Sequence, residues 1–160
     1  MTNAVSREMV DAFYAAYASH DTVRLAELLH DDVQWTISGP VSVLTYCGTR
    51  RGKAEVLDLV DRVIPGLFRV TGFVQDSVVV DGDRVATLNR LTARRCADGR
   101  VISYRLAHFI RYCDGKLIEN VSLIDSFDAA EQMLGHPLDV HDQNMTELPE
   151  LTDAGGLVVV

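Results

Sequence analysis

The sequence predicts an α+β domain in which N-terminal helices pack on a curved, mostly antiparallel sheet. Three observations predict it. Helical spacing of apolar residues dominates the chain up to residue 65, and period-two alternation dominates after residue 68. Three Asp-Gly pairs, Asp81-Gly82, Asp98-Gly99 and Asp114-Gly115, punctuate the second part at hairpin spacing. Helices followed by a run of strands make a segregated α+β architecture rather than an alternating one. A sheet that bends around helices leaves a hollow, and a hollow is a natural small-molecule pocket.

The elements follow in order. Val10, Phe13, Tyr14 and Tyr17 share one face of a helix over 7–18. Asp21 is placed to cap a second helix that presents Leu25, Leu28 and Leu29. Over 31–38 the period switches, with Val33, Trp35 and Ile37 on one side of a strand and Gln34, Thr36 and Ser38 on the other. A Gly/Pro/Ser loop spans 39–52. Val56, Leu57, Val60, Val63 and Ile64 then mark a third helix, which Pro65-Gly66 should stop. The Asp-Gly turns imply four strands near 68–80, 84–97, 100–113 and 116–125. Asp125 or Ser126 is placed to cap a last helix ending at Gly135. Residues 1–138 read as one domain. Residues 139–160 read as a poorly ordered tail, with Leu157 to Val160 able to dock on the body or on a partner.

Composition narrows the function classes. With 48% hydrophobic and 24% charged residues, the 160-residue chain has the balance of one globular domain. The net charge of −8 and the shortness of the basic clusters (Arg50, Arg51, Lys53; Arg90, Arg94, Arg95) argue against nucleic acid as a partner. No apolar run reaches the ~18 residues of a membrane span, and Met1 to Val10 is too polar for a signal peptide. Three unpaired-looking cysteines, Cys47, Cys96 and Cys113, fit a reducing cytoplasm. The histidines lack metal-ligand spacing, and no glycine-rich phosphate loop is present, so neither metal nor organic cofactor is expected. Cys47 lies in a loop where a reactive thiol is conceivable.

The candidate site comes from strand alternation. Ile102, Tyr104, Leu106, His108, Ile110 and Tyr112 make the apolar side of one strand, opposite Ser103, Arg105 and Arg111. His108 therefore points inward, where burial lowers its pKa and keeps the ring neutral. Trp35 and Ile37 offer a flat apolar wall, Tyr14 and Tyr104 offer hydroxyls, and Asn120 and Ser122 share a side of the last strand. The pattern around Arg90 puts Leu88, Arg90 and Thr92 on one side and Asn89 and Leu91 on the other. It does not say which side is inside.

Several segments resemble the nuclear transport factor 2-like superfamily. They are Phe13-Tyr14-Ala15-Ala16-Tyr17, His20-Asp21, Leu28-Leu29-His30-Asp31-Asp32-Val33 with Trp35, the loop Gly48-Thr49-Arg50-Arg51-Gly52-Lys53, the hairpin Ala107-His108-Phe109-Ile110-Arg111-Tyr112 to Ile118, and Ile124-Asp125-Ser126-Phe127. Within it the chain is most similar to the SnoaL-like branch, with polyketide cyclases and relatives of ketosteroid isomerase and limonene epoxide hydrolase. The resemblance implies a conical (cystatin-like) α+β barrel, a homodimer through the outer sheet face, and a ligand between helices and sheet. Matched to ketosteroid isomerase, the base position falls on Ile37, the phenol position at or beside Phe13, and the protonated-acid position on His108. Matched to the epoxide hydrolase, the arginine falls on Arg90 and the two aspartates on Thr92 and Ser122.

The combined expectation is an apolar small molecule in the cone. His108 and Arg90 are the catalytic candidates, and Trp35, Ile37, Tyr14, Tyr104, Leu106, Ile110, Ser122 and Asn120 the ligand-binding ones. The chemistry would be acid–base, of isomerase, cyclase, dehydratase or hydrolase type, on a polyketide-, steroid- or terpenoid-like substrate. A non-catalytic binder, or a dimeric interaction module with a filled pocket, remains open on the residues alone.

Overall fold

The computed structural model describes residues 4–139. Helix α1 (Arg7–Ala18) starts where the Ser6 hydroxyl accepts the Met9 N–H, and it buries Val10, Phe13, Tyr14 and Ala16. Helix α2 (Thr22–Leu28) starts where the Asp21 carboxylate accepts the Arg24 N–H at 2.9 Å. Strand β1 (Leu29–Ser38) follows without a loop and buries Leu29, Val33, Trp35 and Ile37. Its apolar alternation is the one read from the sequence.

Two departures from expectation lie in the next segment. The loop contains a short strand, β2 (Gly48–Arg51), paired antiparallel with β1 from Gln34 to Ile37. An edge strand with one pairing partner and polar residues on both faces leaves no hydrophobic alternation to detect. The third helix, α3, runs through Pro65-Gly66 instead of stopping there. It passes from Lys53–Asp58 through a π turn (Leu59–Val63) into a last turn at Ile64–Leu67. The Ile64 N–H reaches back five residues to the Leu59 carbonyl, and Pro65 has no N–H to offer Val60. The His20 ring takes over, with Nδ1 3.1 Å from the Val60 carbonyl oxygen. The widened turn and the borrowed donor let the helix continue past the proline.

The remaining strands are β3 (Phe68–Asp81), β4 (Arg84–Arg95), β5 (Val101–Cys113) and β6 (Lys116–Ile124). The sheet order is β2-β1-β6-β5-β4-β3, antiparallel throughout except for the β1–β6 pair. That parallel pair brings the chain's first and last strands together at the centre and carries the concave face across them. Only one of the Asp-Gly turns is a two-residue loop with both residues left-handed: Asp114 and Gly115, at φ 49° and 75°. In the β3–β4 turn, Asp81 still pairs with Arg84, so the loop residues are Gly82 and Asp83 and only the glycine has positive φ. The β4–β5 connection is longer, closed by the Arg95 N–H donating to the Arg100 carbonyl.

Helix α4 (Ser126–Leu134) ends at left-handed Gly135 as expected, but the Asp125 side chain makes no capping bond. Gln132 holds the helix on β5 instead: its Oε1 accepts the Ser103 N–H at 2.6 Å and its Nε2 donates to the Ser103 carbonyl at 2.8 Å. Four helices thus pack on a six-stranded mixed sheet, a conical α+β barrel. Among the described residues no helix is long and apolar enough to cross a membrane. Apart from Asp139, the expected tail lies outside the described residues.

Candidate functional site

The strand registers line up one row across the concave face: Ile37 on β1 opposite Ser122 on β6, Ser122 opposite His108 on β5, and His108 opposite Thr87 on β4. Polar residues sit beside this row, Asn120 two residues from Ser122 and Asn89 two residues from Thr87. Among the described residues Thr87, Asn89, His108, Asn120 and Ser122 are buried polar side chains, each at 4% exposure or less. Buried polar groups need partners, and here they find them largely in one another and in helix α1.

The centre of that network is His108. Its Nδ1 lies 2.7 Å from the Tyr14 hydroxyl, which lies 2.7 Å from Thr87 Oγ1, to which Asn89 Nδ2 donates at 2.8 Å. The direction of the protons follows from counting them. With Asn89 Nδ2 donating to Thr87, the Thr87 proton has Tyr14 as its acceptor among the described residues, and the Tyr14 proton then goes to His108 Nδ1. In the opposite direction the Thr87 proton would have no acceptor among the described residues while Asn89 presents its Nδ2 to it. The neutral imidazole then carries its proton on Nε2. That atom has no protein hydrogen bond among the described residues, and the ring lines a cavity, so this is the edge left for a ligand. Burial drives the imidazole pKa down to about 4 and pushes the Tyr14 phenol up to about 12. Both groups are neutral at ordinary pH.

Open space is present. A cavity of about 40 Å³, measured as the space a water's centre can reach, lies between β-strand and helix walls. It is room for about three waters. Ile37, Leu106, His108 and Ser122, all named from the sequence, line it together with Tyr17, His20, Tyr46, Phe73 and Leu91 among others. Its lining among the described residues carries no Asp, Glu, Lys or Arg.

The other expected site residues lie elsewhere. Arg90 is on the exposed side of β4, registered opposite Arg105 on the outer face. The placement inside the cone is corrected: the pleat buries Thr87, Asn89 and Leu91, so Arg90 cannot share their face. Tyr14 stands behind the imidazole rather than on the cavity wall. Trp35 is fully buried against Phe13 and Tyr17, with ring centroids 5.9 and 5.6 Å away, and its indole N–H has no partner among the described residues. Tyr104 meets Tyr46 hydroxyl to hydroxyl at 3.0 Å, and it is Tyr46 that reaches the cavity. Ile110 is core, and Asn120 Nδ2 donates to Ser122 Oγ at 2.9 Å from beneath the cavity floor. Cys47 is buried, its thiol pushed up to about 11 by desolvation, and is therefore held protonated and unreactive.

Sequence reasoning missed Thr87, Asn89 and His20. The first two are polar residues on a buried face, so hydrophobic alternation alone does not flag them. The register with His108 is what singles them out.

Residues 10–120 match the SnoaL-like domain family, and the chain belongs to it. Among solved structures, "Putative Isomerase from Rhodopseudomonas palustris" is 28% identical over 82% of this chain and 100% of that one, with a TM-score of 0.75. A nuclear transport factor 2-like protein from Burkholderia thailandensis is 25% identical over 79% and 95%, with a TM-score of 0.68. TerC, co-crystallised with polyporic acid, is 21% identical over 79% and 96%, also at 0.68, and shares the fold. No match was found among curated proteins.

A depressed imidazole pKa is a stability statement. The unfolded chain binds a proton at residue 108 below about pH 6.5, whereas the folded chain resists until about pH 4. Stability from this group is therefore complete above pH 6.5 and lost as pH falls through that window, by about 3 kcal/mol. His108→Gln should lose less stability than wild type between about pH 7 and pH 4, by that amount in urea unfolding. Parallel pH profiles would contradict the buried neutral ring.

Proposed function

We propose that the cavity binds a small, uncharged, mostly apolar molecule through a carbonyl or phenolic oxygen, and that His108 Nε2–H donates to that oxygen. The observation that carries this is the Asn89–Thr87–Tyr14–His108 chain. It fixes a neutral imidazole with one N–H at the apolar wall of a cavity without charged residues. A fixed N–H in a water-poor site stabilises developing negative charge on an oxygen more than the same donor would in water. The reaction class is acid–base: isomerisation, cyclisation, dehydration or hydrolysis, on a polyketide- or terpenoid-like substrate that places a single ring on the cavity floor. The likeness to "Putative Isomerase" supports the reaction class, and TerC with its bound polyporic acid is a protein of the same fold that takes a small molecule. A tyrosine hydroxyl within 2.7 Å of the imidazole favours chemistry over passive binding. The open cavity weighs against an interaction module with a solid core.

Cyclohexanone, a ketone of one ring, is a suitable probe. Its addition should shift the NMR signals of His108 and Leu106, and His108→Leu should weaken binding about tenfold, the worth of one hydrogen bond. Equal affinity in the variant, or no shift in wild type, would contradict the reading.

The outer sheet face supports a homodimer. Leu88, Ala107 and Leu123 are in register across β4, β5 and β6, beside the row Ala86, Phe109 and Val121. Leu88, Phe109 and Leu123 are between 40 and 49% exposed in the single chain. Sedimentation should find a dimer that Phe109→Asp converts to monomer; a monomeric wild type would rule this out.

A further inference from the structure

His108 as described is a donor, and an acid–base reaction on carbon also needs an acceptor. The cavity lining offers one to which the sequence reading gave no catalytic role. His20 lines the same cavity, half-buried, in the turn between α1 and α2. Its Nδ1 faces a carbonyl oxygen, Val60 O at 3.1 Å. A carbonyl only accepts, so Nδ1 carries the proton and Nε2 carries the lone pair of the neutral ring. Nε2 has no hydrogen bond among the described residues, and the residue lines the cavity. The arrangement is built rather than incidental. Val60 O is free because the π turn and Pro65 deny it a backbone donor. His20 reaches it from a left-handed backbone, φ 54°, a conformation that costs a non-glycine residue free energy. As neutral rings the two cavity histidines hold opposite tautomers, His108 with its N–H and His20 with its lone pair at Nε2.

We propose that His20 is the base of this site, taking a proton through Nε2 from the carbon next to a carbonyl whose oxygen is held by His108. The C–H electron pair becomes the new C=C bond and the carbonyl π pair moves to oxygen, leaving an enolate hydrogen-bonded to His108 and an imidazolium at His20. Return of a proton from His20 Nε2 to the same carbon, or to a conjugated one, closes the cycle with no other reactant. The substrate class this selects is an uncharged enolisable ketone. The proposal rests on the cavity being the ligand site.

The test is proton–deuterium exchange at the α carbons of cyclohexanone in D2O, followed by NMR alongside its binding. Wild type should exchange at least about 100-fold faster than His20→Asn, the range expected for one general base. Asn tolerates the left-handed backbone and keeps an N–H for Val60, so the variant should fold and still bind the ketone. His20→Gln, which also keeps a donor, should match it. Equal exchange in wild type and both variants with ketone bound would overturn the role of His20 and leave the binding site standing. Failure of cyclohexanone to bind wild type would overturn both. Loss of binding together with exchange in both variants would assign His20 to holding the ligand and overturn its role as base.

Discussion

A neutral imidazole held in a dry wall by a single hydroxyl is the constraint on which the site depends. Taking a histidine out of water favours its uncharged form, and an uncharged ring must dispose of one donor and one acceptor. Tyr14 meets the acceptor at Nδ1, which leaves the donor for the cavity. The same contact ties helix α1 to the middle of the sheet, so the polar network and the closure of the cone are one feature. Thr87 and Asn89 act behind it, setting which way the protons point. Turning the Asn89 amide over would reverse every proton in the chain, and the imidazole would present a lone pair instead.

That network is placed by strand geometry. Period-two alternation puts His108 and Thr87 on the concave face, and antiparallel register sets them side by side. The parallel β1–β6 pairing brings Ile37 beside Ser122 and completes the row. Comparison with ketosteroid isomerase becomes physical at this point. By the resemblance its protonated-acid position falls on His108 and its phenol position at or beside Phe13, next to the Tyr14 that holds the ring, while its base position falls on the aliphatic Ile37. Under the proposed function such a site holds the ligand oxygen through His108 and takes its proton acceptor from another element.

How much of this was legible in the sequence depends on the element. The strands β3 to β6 and the inward side of β5 were readable because alternation is strong there, and His108 was found from it. Helix α1 and its aromatic stripe were readable for the same kind of reason. Strand β2 was hidden because an edge strand of polar residues has no pattern, and the run of α3 past Pro65 was hidden because its rescue comes from His20, forty residues away in sequence. Arg90 was misplaced because β4 alternates polar residues on both faces, and only register with β5 decides which face is inside. Tyr14 was named as a cavity wall, yet its role is to hold the ring behind it, a distinction that needs three dimensions.

The most direct test of the central claim is the protonation of His108 read by nitrogen-15 NMR of the free protein. The account predicts a proton on Nε2, none on Nδ1, and a ring still neutral as pH falls toward about 4. A proton on Nδ1, or an imidazolium already present near the ordinary pKa of about 6.5, would contradict it.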